Sequence, residues 1–300
     1  MQIFYDDGGE KQLVDGQFLK SFVLRNDLVP IPVTLEAEIR AEDEVLPFFE
    51  QGKKVYTANG DEFIILKSEP ISSGRVQGGN IAQVVKIIAV LSSLTNACYV
   101  KEKSIYKKNT TLADIYRALG CKADSIQGDL TVPLFNCMAG DSPSYQIAVI
   151  LQESAGVMRW RDGQLSFMRL DDLFKQEAIT DVPITAAETV QSGFLERHEI
   201  PTFYSVDDNG EFIYGNKDKA RTARFVPNKD ALTLKNMSTC LILKQISRIS
   251  YNDNIVAGDL IQVSADEKLI VITAAHVFSG GIDGDPARQY TKLWLGELHK

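Results

Sequence analysis

The chain has 300 residues, 44% of them hydrophobic and 24% charged, and a formal net charge of −8 at neutral pH. That length exceeds one comfortable hydrophobic core, so two or three domains are expected, and the composition excludes a disordered chain, a collagen and a coiled coil. The acidic balance argues against general affinity for nucleic-acid backbone, which depends on Lys and Arg displacing counterions.

The first hundred residues read as strands. Val33 to Arg40 alternates apolar and polar residues without a break, the pattern of a half-buried strand. Phe18 to Leu24, Lys54 to Thr57, Phe63 to Lys67 and Ile81 to Val90 are further strands, separated by turn signals such as Asn59-Gly60 and Gly78-Gly79. From about Lys103 the pattern changes. Leu112, Ile115, Tyr116 and Leu119 share one helical face, bracketed by a Thr N-cap and Gly120. A second helix starts at Ser142-Pro143 and stops near Gly156. Val157 to Trp160 and Gln164 to Arg169 then flank Asp162-Gly163, the favoured pair for a type I′ hairpin. From about Asp181 strands return: Phe203 to Val206 and Glu211 to Tyr214 form a hairpin, followed by Cys240 to Ile249, Leu260 to Ser264, Leu269 to Thr273 and Tyr290 to Leu295. In the last, Thr291, Leu293 and Leu295 face one way and Tyr290, Lys292 and Trp294 the other. The chain reads as mainly β with a small α+β module of two short helices and a hairpin.

One ungapped self-alignment links the two β regions: Gly52 to Leu66 lies over Gly258 to Ile272. A Gly opens each copy, an apolar residue follows three positions on (Val55, Ile261), and a polar turn leads into a run of apolar residues. This describes one β-hairpin used twice, although two unrelated hairpins can also be slid into such agreement.

Chemical signatures are few. Walker A, dinucleotide-binding, nucleophile-elbow and metalloprotease patterns are absent from the sequence. Of the three His residues, His198 and His276 lie in strand-like contexts and His299 is next to the last residue, so catalytic, cofactor-binding and metal residues are all expected to be none. Asp207-Asp208-Asn209-Gly210 and Asp283-Gly284-Asp285 read as turns rather than calcium loops. Lys101-Glu102-Lys103 and Lys217-Asp218-Lys219 read as solvated surface. The four cysteines, Cys98, Cys121, Cys137 and Cys240, are too scattered for a zinc ribbon or a redox dithiol and read as reduced, mostly buried thiols. The start lacks a basic stretch followed by an apolar one, and Val84 to Leu91, the longest apolar run, is interrupted by Lys86, so neither secretion nor stable membrane insertion is expected.

Three stretches resemble the baseplate or tail-hub family of contractile-tailed phages, which is also similar to the hub portion of type VI secretion spike proteins. They are Leu112 to Leu119; Ile147 to Gly156 with Trp160 to Phe167; and Val256 to Phe278 with Tyr290 to Gly296. The resemblance implies two related β-barrel-like domains, over residues 1–103 and 181–300, flanking the module at 104–180. It further implies a homotrimer, which the repeat would make pseudo-sixfold, a central channel, and tail-tube, spike and surrounding baseplate proteins as partners; the net negative charge then predicts a neutral or acidic channel wall past which DNA or a tape protein slides without sticking. No enzymatic activity or cofactor comes with it. The expected location is the virion tail, after synthesis in the host cytoplasm. Two other readings stay open: a tail-associated cell-wall hydrolase, for which Glu153 and Asp171-Asp172 are candidates, and a carbohydrate-binding β-module using Tyr204, Tyr214 and Trp160.

Overall fold

The computed structural model describes residues 1–300 except 42–43, 72–75, 78–79, 82, 124, 181, 183, 190–199, 217–221, 282–285 and 300. The Gly78-Gly79 turn, the boundary at Asp181, His198, Lys217-Asp218-Lys219 and Asp283-Gly284-Asp285 therefore lie outside the described residues.

In chain order the first β region holds β1 (Ile3–Asp7), β2 (Glu10–Leu13), β3 (Leu19–Asp27), β4 (Val33–Ala41), β5 (Lys54–Thr57), β6 (Glu62–Ile71), β7 (Val76–Gln77), β8 (Asn80–Ile81) and β9 (Gln83–Leu91). The middle region holds β10 (Ile105–Thr111), α1 (Leu112–Ala118), β11 (Thr131–Cys137), α2 (Pro143–Glu153), β12 (Gly156–Arg161), β13 (Gln164–Arg169) and α3 (Leu170–Leu173). The last holds β14 (Ile184–Thr189), β15 (Thr202–Val206), β16 (Phe212–Tyr214), β17 (Ala223–Phe225), α4 (Ala231–Met237), β18 (Cys240–Ser250), β19 (Leu260–Gln262), β20 (Lys268–Ser279) and β21 (Arg288–His299). The fold is mainly β. The N-terminal hairpin β1–β2, the β10–β11 hairpin, α3 and α4 add to the elements expected from sequence.

Local chemistry accounts for the elements that position the rest. On β4, Val33, Leu35, Ala37 and Ile39 are buried while Thr34, Glu36 and Glu38 are half-buried, so the period-two pattern sets which face meets the core. The Thr111 hydroxyl accepts from the Asp114 N–H at 3.2 Å and starts α1. Asp162 and Gly163 both take left-handed backbone, φ 50° and 76°, as the tight β12–β13 turn requires. α2 ends differently from expectation: Ala155, with φ 45°, takes the left-handed position, and Gly156 already belongs to β12.

Twelve strands form one sheet in the order β14-β18-β21-β20-β3-β4-β9-β6-β5-β1-β2, with β19 on β20. Three cores lie against it. The first gathers Phe22, Leu35, Ile39, Phe63, Ile65 and Ile87 and runs without a break into Leu112, Ile115, Tyr116 and Ile147 of the middle region. The second gathers Ile249, Ile261, Leu269, Val271, Leu293 and Leu295. The third gathers Val157 and Leu173 of the middle region with Leu28, Ala257, Leu260 and Ile270. Each fully buried aliphatic side chain contributes about 1.5–3 kcal/mol. β15–β17 and α4 form a small unit inserted between β14 and β18, with its own core of Phe203, Leu234 and Met237.

The repeat is real at the level of hydrogen bonds. Val55 faces Phe63 as Ile261 faces Leu269, and Lys54 faces Ile64 as Leu260 faces Ile270. The N–H of Gly52 donates to Ile65 at 2.8 Å, and that of Gly258 to Val271 at 2.7 Å. The likeness continues beyond the hairpin at the same offset: Ile65 faces Ala89 as Val271 faces Leu295, and a bulge follows at Ile65/Lys67 and at Val271/Thr273. Past the bulge, Pro70 faces Val85 as His276 faces Thr291. The outer strands agree too. β3 pairs β4 with a bulge at Leu19/Ser21, and β14 pairs β18 with a bulge at Ile184/Ala186. Strands β3-β4-β9-β6-β5 and β14-β18-β21-β20-β19 are thus two copies of one unit.

Candidate functional site

The two units meet at a seam where β20 of the second pairs β3 of the first, from Thr273 opposite Asp27 to Ser279 opposite Ser21. The N–H of Gly280 donates to the Lys20 carbonyl at 2.8 Å, whereas the N–H of Asp27 turns away to Pro32 at 2.7 Å. With the alternation of an antiparallel ladder, Ala274, His276 and Phe278 direct their backbone groups at β3, and Val277 directs its own at β21. The Thr273 hydroxyl donates to the buried Asp27 carboxylate, which also holds Arg25 Nε at 2.8 Å. His276, buried behind the seam, has Nδ1 3.0 Å from the Thr291 hydroxyl, and burial pushes its pKa down to about 4. It is a packed strand residue, neutral at pH 7.

A second device ties the middle region to the second unit. Arg159 on β12 ion-pairs with Asp259 and donates through Nε to the Ala257 carbonyl at 3.2 Å, while Arg161 Nη1 reaches the same Asp259 oxygen. The other Asp259 oxygen accepts from the Val256 N–H at 3.0 Å, and Gln176 Nε2 donates to the Gly258 carbonyl at 2.9 Å. Burial lowers the Arg159 pKa against the pull of Asp259. Gly258 is confined twice, by φ 90° and by Arg159, whose Cδ would lie 3.0 Å from an added Cβ. The equivalent stretch of the first unit, Gln51-Gly52-Lys53, is exposed. Sequence reading missed this joint because nothing local marks a residue that pairs a hundred positions away.

The seam also defines two open edges. Among the described residues β14 pairs only β18, and β6 beyond Leu66 pairs only β9. These are the counterparts of the strands that meet inside the chain. Ile71, at the end of β6, is 36% exposed, and Ala187 and Glu188 on β14 are exposed.

The groups weighed from sequence for chemistry are engaged elsewhere. Glu153 forms an ion pair with Lys229 at 2.6 Å, and Asp172 one with Lys175 at 2.7 Å. Asp207 accepts from the N–H groups of Asn209 and Glu211, as a turn residue does. Lys101, expected as solvated surface, instead donates to the Leu119 carbonyl at 2.9 Å and caps α1. The cysteines form no disulfide: Cys121 and Cys137 are buried, Cys98 and Cys240 partly so, and burial raises the Cys98 and Cys121 thiols to about 11. Among the described residues no group of His, Cys, Asp and Glu is arranged to hold a metal ion, and no helix is long and apolar enough to cross a membrane. A cleft of about 460 Å³ at the seam is lined by Asn26, Asp61, Trp160, Arg161, Asp253 and His276. Trp160 is half-buried against the first core, away from Tyr204 and Tyr214, which cluster with Phe212 and Phe225 on the inserted unit.

No family model matches the sequence, and no curated protein matches it. Solved structures do. A tail protein from Neisseria meningitidis superposes with a TM-score of 0.66 at 11% identity, over 99% of this chain and 96% of that one. The chain has a phage tail-protein fold. The 43 kDa tail protein of prophage MuSo2 from Shewanella oneidensis matches with a TM-score of 0.62 at 11% identity, over 99% and 98% of the two chains. A component of the Escherichia coli type VI secretion system, itself described as similar to two bacteriophage T4 tail proteins, matches with a TM-score of 0.54 at 8% identity, over 94% of this chain and 74% of that one. The tail-protein fold thus spans essentially the whole chain, with the seam and both open edges inside it.

Proposed function

We propose that this protein is a non-enzymatic structural subunit of a tail baseplate: a hub in which three copies, each contributing two equivalent units, close a pseudo-sixfold ring between a sixfold tail tube and a threefold spike. The observation that carries the reading is the duplicated unit with its internal seam. A chain whose halves already join as neighbours do in a ring carries the same contact forward at both ends, and such head-to-tail contacts either close into rings or run on as filaments. The domain division into 1–103, 104–180 and 181–300 belongs to this proposal. So do the tube, spike and surrounding baseplate proteins as partners, and a place in the virion tail.

The sheet face turned away from the first two cores suits a channel wall that does not grip its contents. In the first unit its charges alternate in sign and pair with one another, across strands in Lys86 with Glu36 and Lys54 with Glu62 and along β6 in Lys67 with Glu69. In the second unit Arg248 stacks on Tyr290 and Lys292 lies over Trp294. Electron microscopy of the purified chain tests the proposal. A ring with threefold symmetry and a central hole is expected, and a solid particle with no hole would overturn it.

The ring contact of Tyr204, Phe212, Tyr214 and Phe225 favours a second reading, in which the inserted unit docks a sugar through aromatic stacking. Glycan binding lost in Phe212→Ala and Phe225→Ala would support it, and no binding to any glycan would sink it.

A further inference from the structure

We propose that the open edges of the duplicated sheet, the outer half of β6 and the strand β14, pair between two copies of this chain in the register of the internal seam, and that Pro70 leaves this pairing one hydrogen bond weaker than the internal one. The inference rests on the ring reading and names the contact that closes it.

The register follows from equivalences already fixed. Pro70 corresponds to His276 and Ile71 to Val277, through their partners Val85 and Thr291, Val84 and Tyr290. On the other side Glu188 corresponds to Val23 and Thr189 to Leu24, through Ile246 and Glu36, Gln245 and Leu35. Inside the chain His276 faces Leu24 and Val277 faces Val23. Between copies, Pro70 then faces Thr189 and Ile71 faces Glu188. The occupant of each edge is a second copy, because the internal seam is a worked instance of the same two strands meeting.

The two seams differ at one atom. The backbone N–H of His276 points at β3, so the ring nitrogen of Pro70 points at the incoming strand and has no hydrogen to give. Proline is tolerated in a sheet where its donor side faces an edge, and an edge so blunted resists indiscriminate strand addition. The Pro70 carbonyl still accepts. Apolar Val277 against Val23 also becomes Ile71 against the exposed Glu188. The contact between copies is therefore the weaker of the two, and closure depends on concentration or on a template.

Ile71→Cys combined with Glu188→Cys tests the register. Val277 and Val23 form a pair whose backbone groups point away from each other, the closer of the two pair types in an antiparallel ladder, about 4.5 Å between Cα atoms and within disulfide reach. Mild oxidation should give covalent multimers up to three chains, while Ile71→Cys with Ala187→Cys, one residue out of register, should give none. Pro70→Thr restores the donor, and three recovered bonds of about 1 kcal/mol each in a ring of three should lower the concentration for half-assembly about tenfold, since that concentration varies as the inverse square root of the assembly constant. An oligomer of three that never crosslinks at this pair would overturn the register while leaving the ring. A protein that stays monomeric and uncrosslinked at every concentration, Pro70→Thr included, would overturn both. Crosslinking at the pair with unchanged half-assembly in Pro70→Thr would overturn the role of Pro70 alone.

Discussion

Arg159 and Asp259 form a buried ion pair, their side chains 9% and 4% exposed, that fixes the middle region to the turn opening the second unit. Lys53 occupies the place of Asp259 in the first unit and is exposed there. Two copies of one unit have thus diverged at the point where only one of them carries the module.

Asp259→Ala leaves Arg159 buried without a counter-charge and strips Arg161 of the same partner. Breaking such a pair from one side costs about 3–5 kcal/mol. Lys53→Ala, at the equivalent exposed place, should stay within about 0.5 kcal/mol of the parent. Urea denaturation of the two variants side by side measures the difference; equal midpoints would mean that the pair contributes nothing.

The opening glycines give a matched pair. Both need left-handed backbone, φ 87° at Gly52 and 90° at Gly258, but only Gly258 has neighbours within reach of an added Cβ. Gly52→Ala should cost about 1–2 kcal/mol from backbone strain alone. Gly258→Ala should cost clearly more, since it also displaces Arg159, and thermal melts would show the order.

His276 predicts the acid side of the stability profile. Its folded pKa, lowered to about 4 chiefly by burial and opposed by Asp253, lies below the ordinary 6.5. The unfolded chain therefore takes up the proton first. Stability from this group is complete above about pH 6.5 and declines as pH falls towards 4, by about 3 kcal/mol in total. His276→Gln should flatten the profile in that window. A variant whose profile keeps the parent's slope would show that another group is responsible.

Tyr116 is fully buried, and its hydroxyl donates to the Pro30 carbonyl at 2.7 Å, tying α1 to the loop between β3 and β4. Burial raises its pKa above the ordinary value, so the hydroxyl stays a donor. Tyr116→Phe should lose about 1–2 kcal/mol by leaving that carbonyl unsatisfied, measurable by chemical denaturation.

Much of this was legible in the sequence because burial writes itself into periodicity. The alternation of β4 and of Thr291, Leu293 and Leu295 fixes faces, Asp162-Gly163 fixes a turn, and the offset between Gly52 and Gly258 extends, in the structure, to whole strands with matching bulges. What stayed hidden is non-local. Periodicity tells a strand which face to bury but not which strand lies beside it, so neither the pairing of β20 with β3 nor the open edge of β14 could be read. Arg159 and Asp259 look like any surface charges until the chain brings them together. The β1–β2 hairpin escaped notice because β2 is largely exposed and carries little apolar signal.

A hub of this kind is defined by how many chains assemble. Native mass spectrometry over a range of concentrations should show the 33.3 kDa chain giving way to one species of three times that mass, with nothing larger. A chain that remains single throughout, or a ladder of ever-larger masses with no preferred stop, would contradict it.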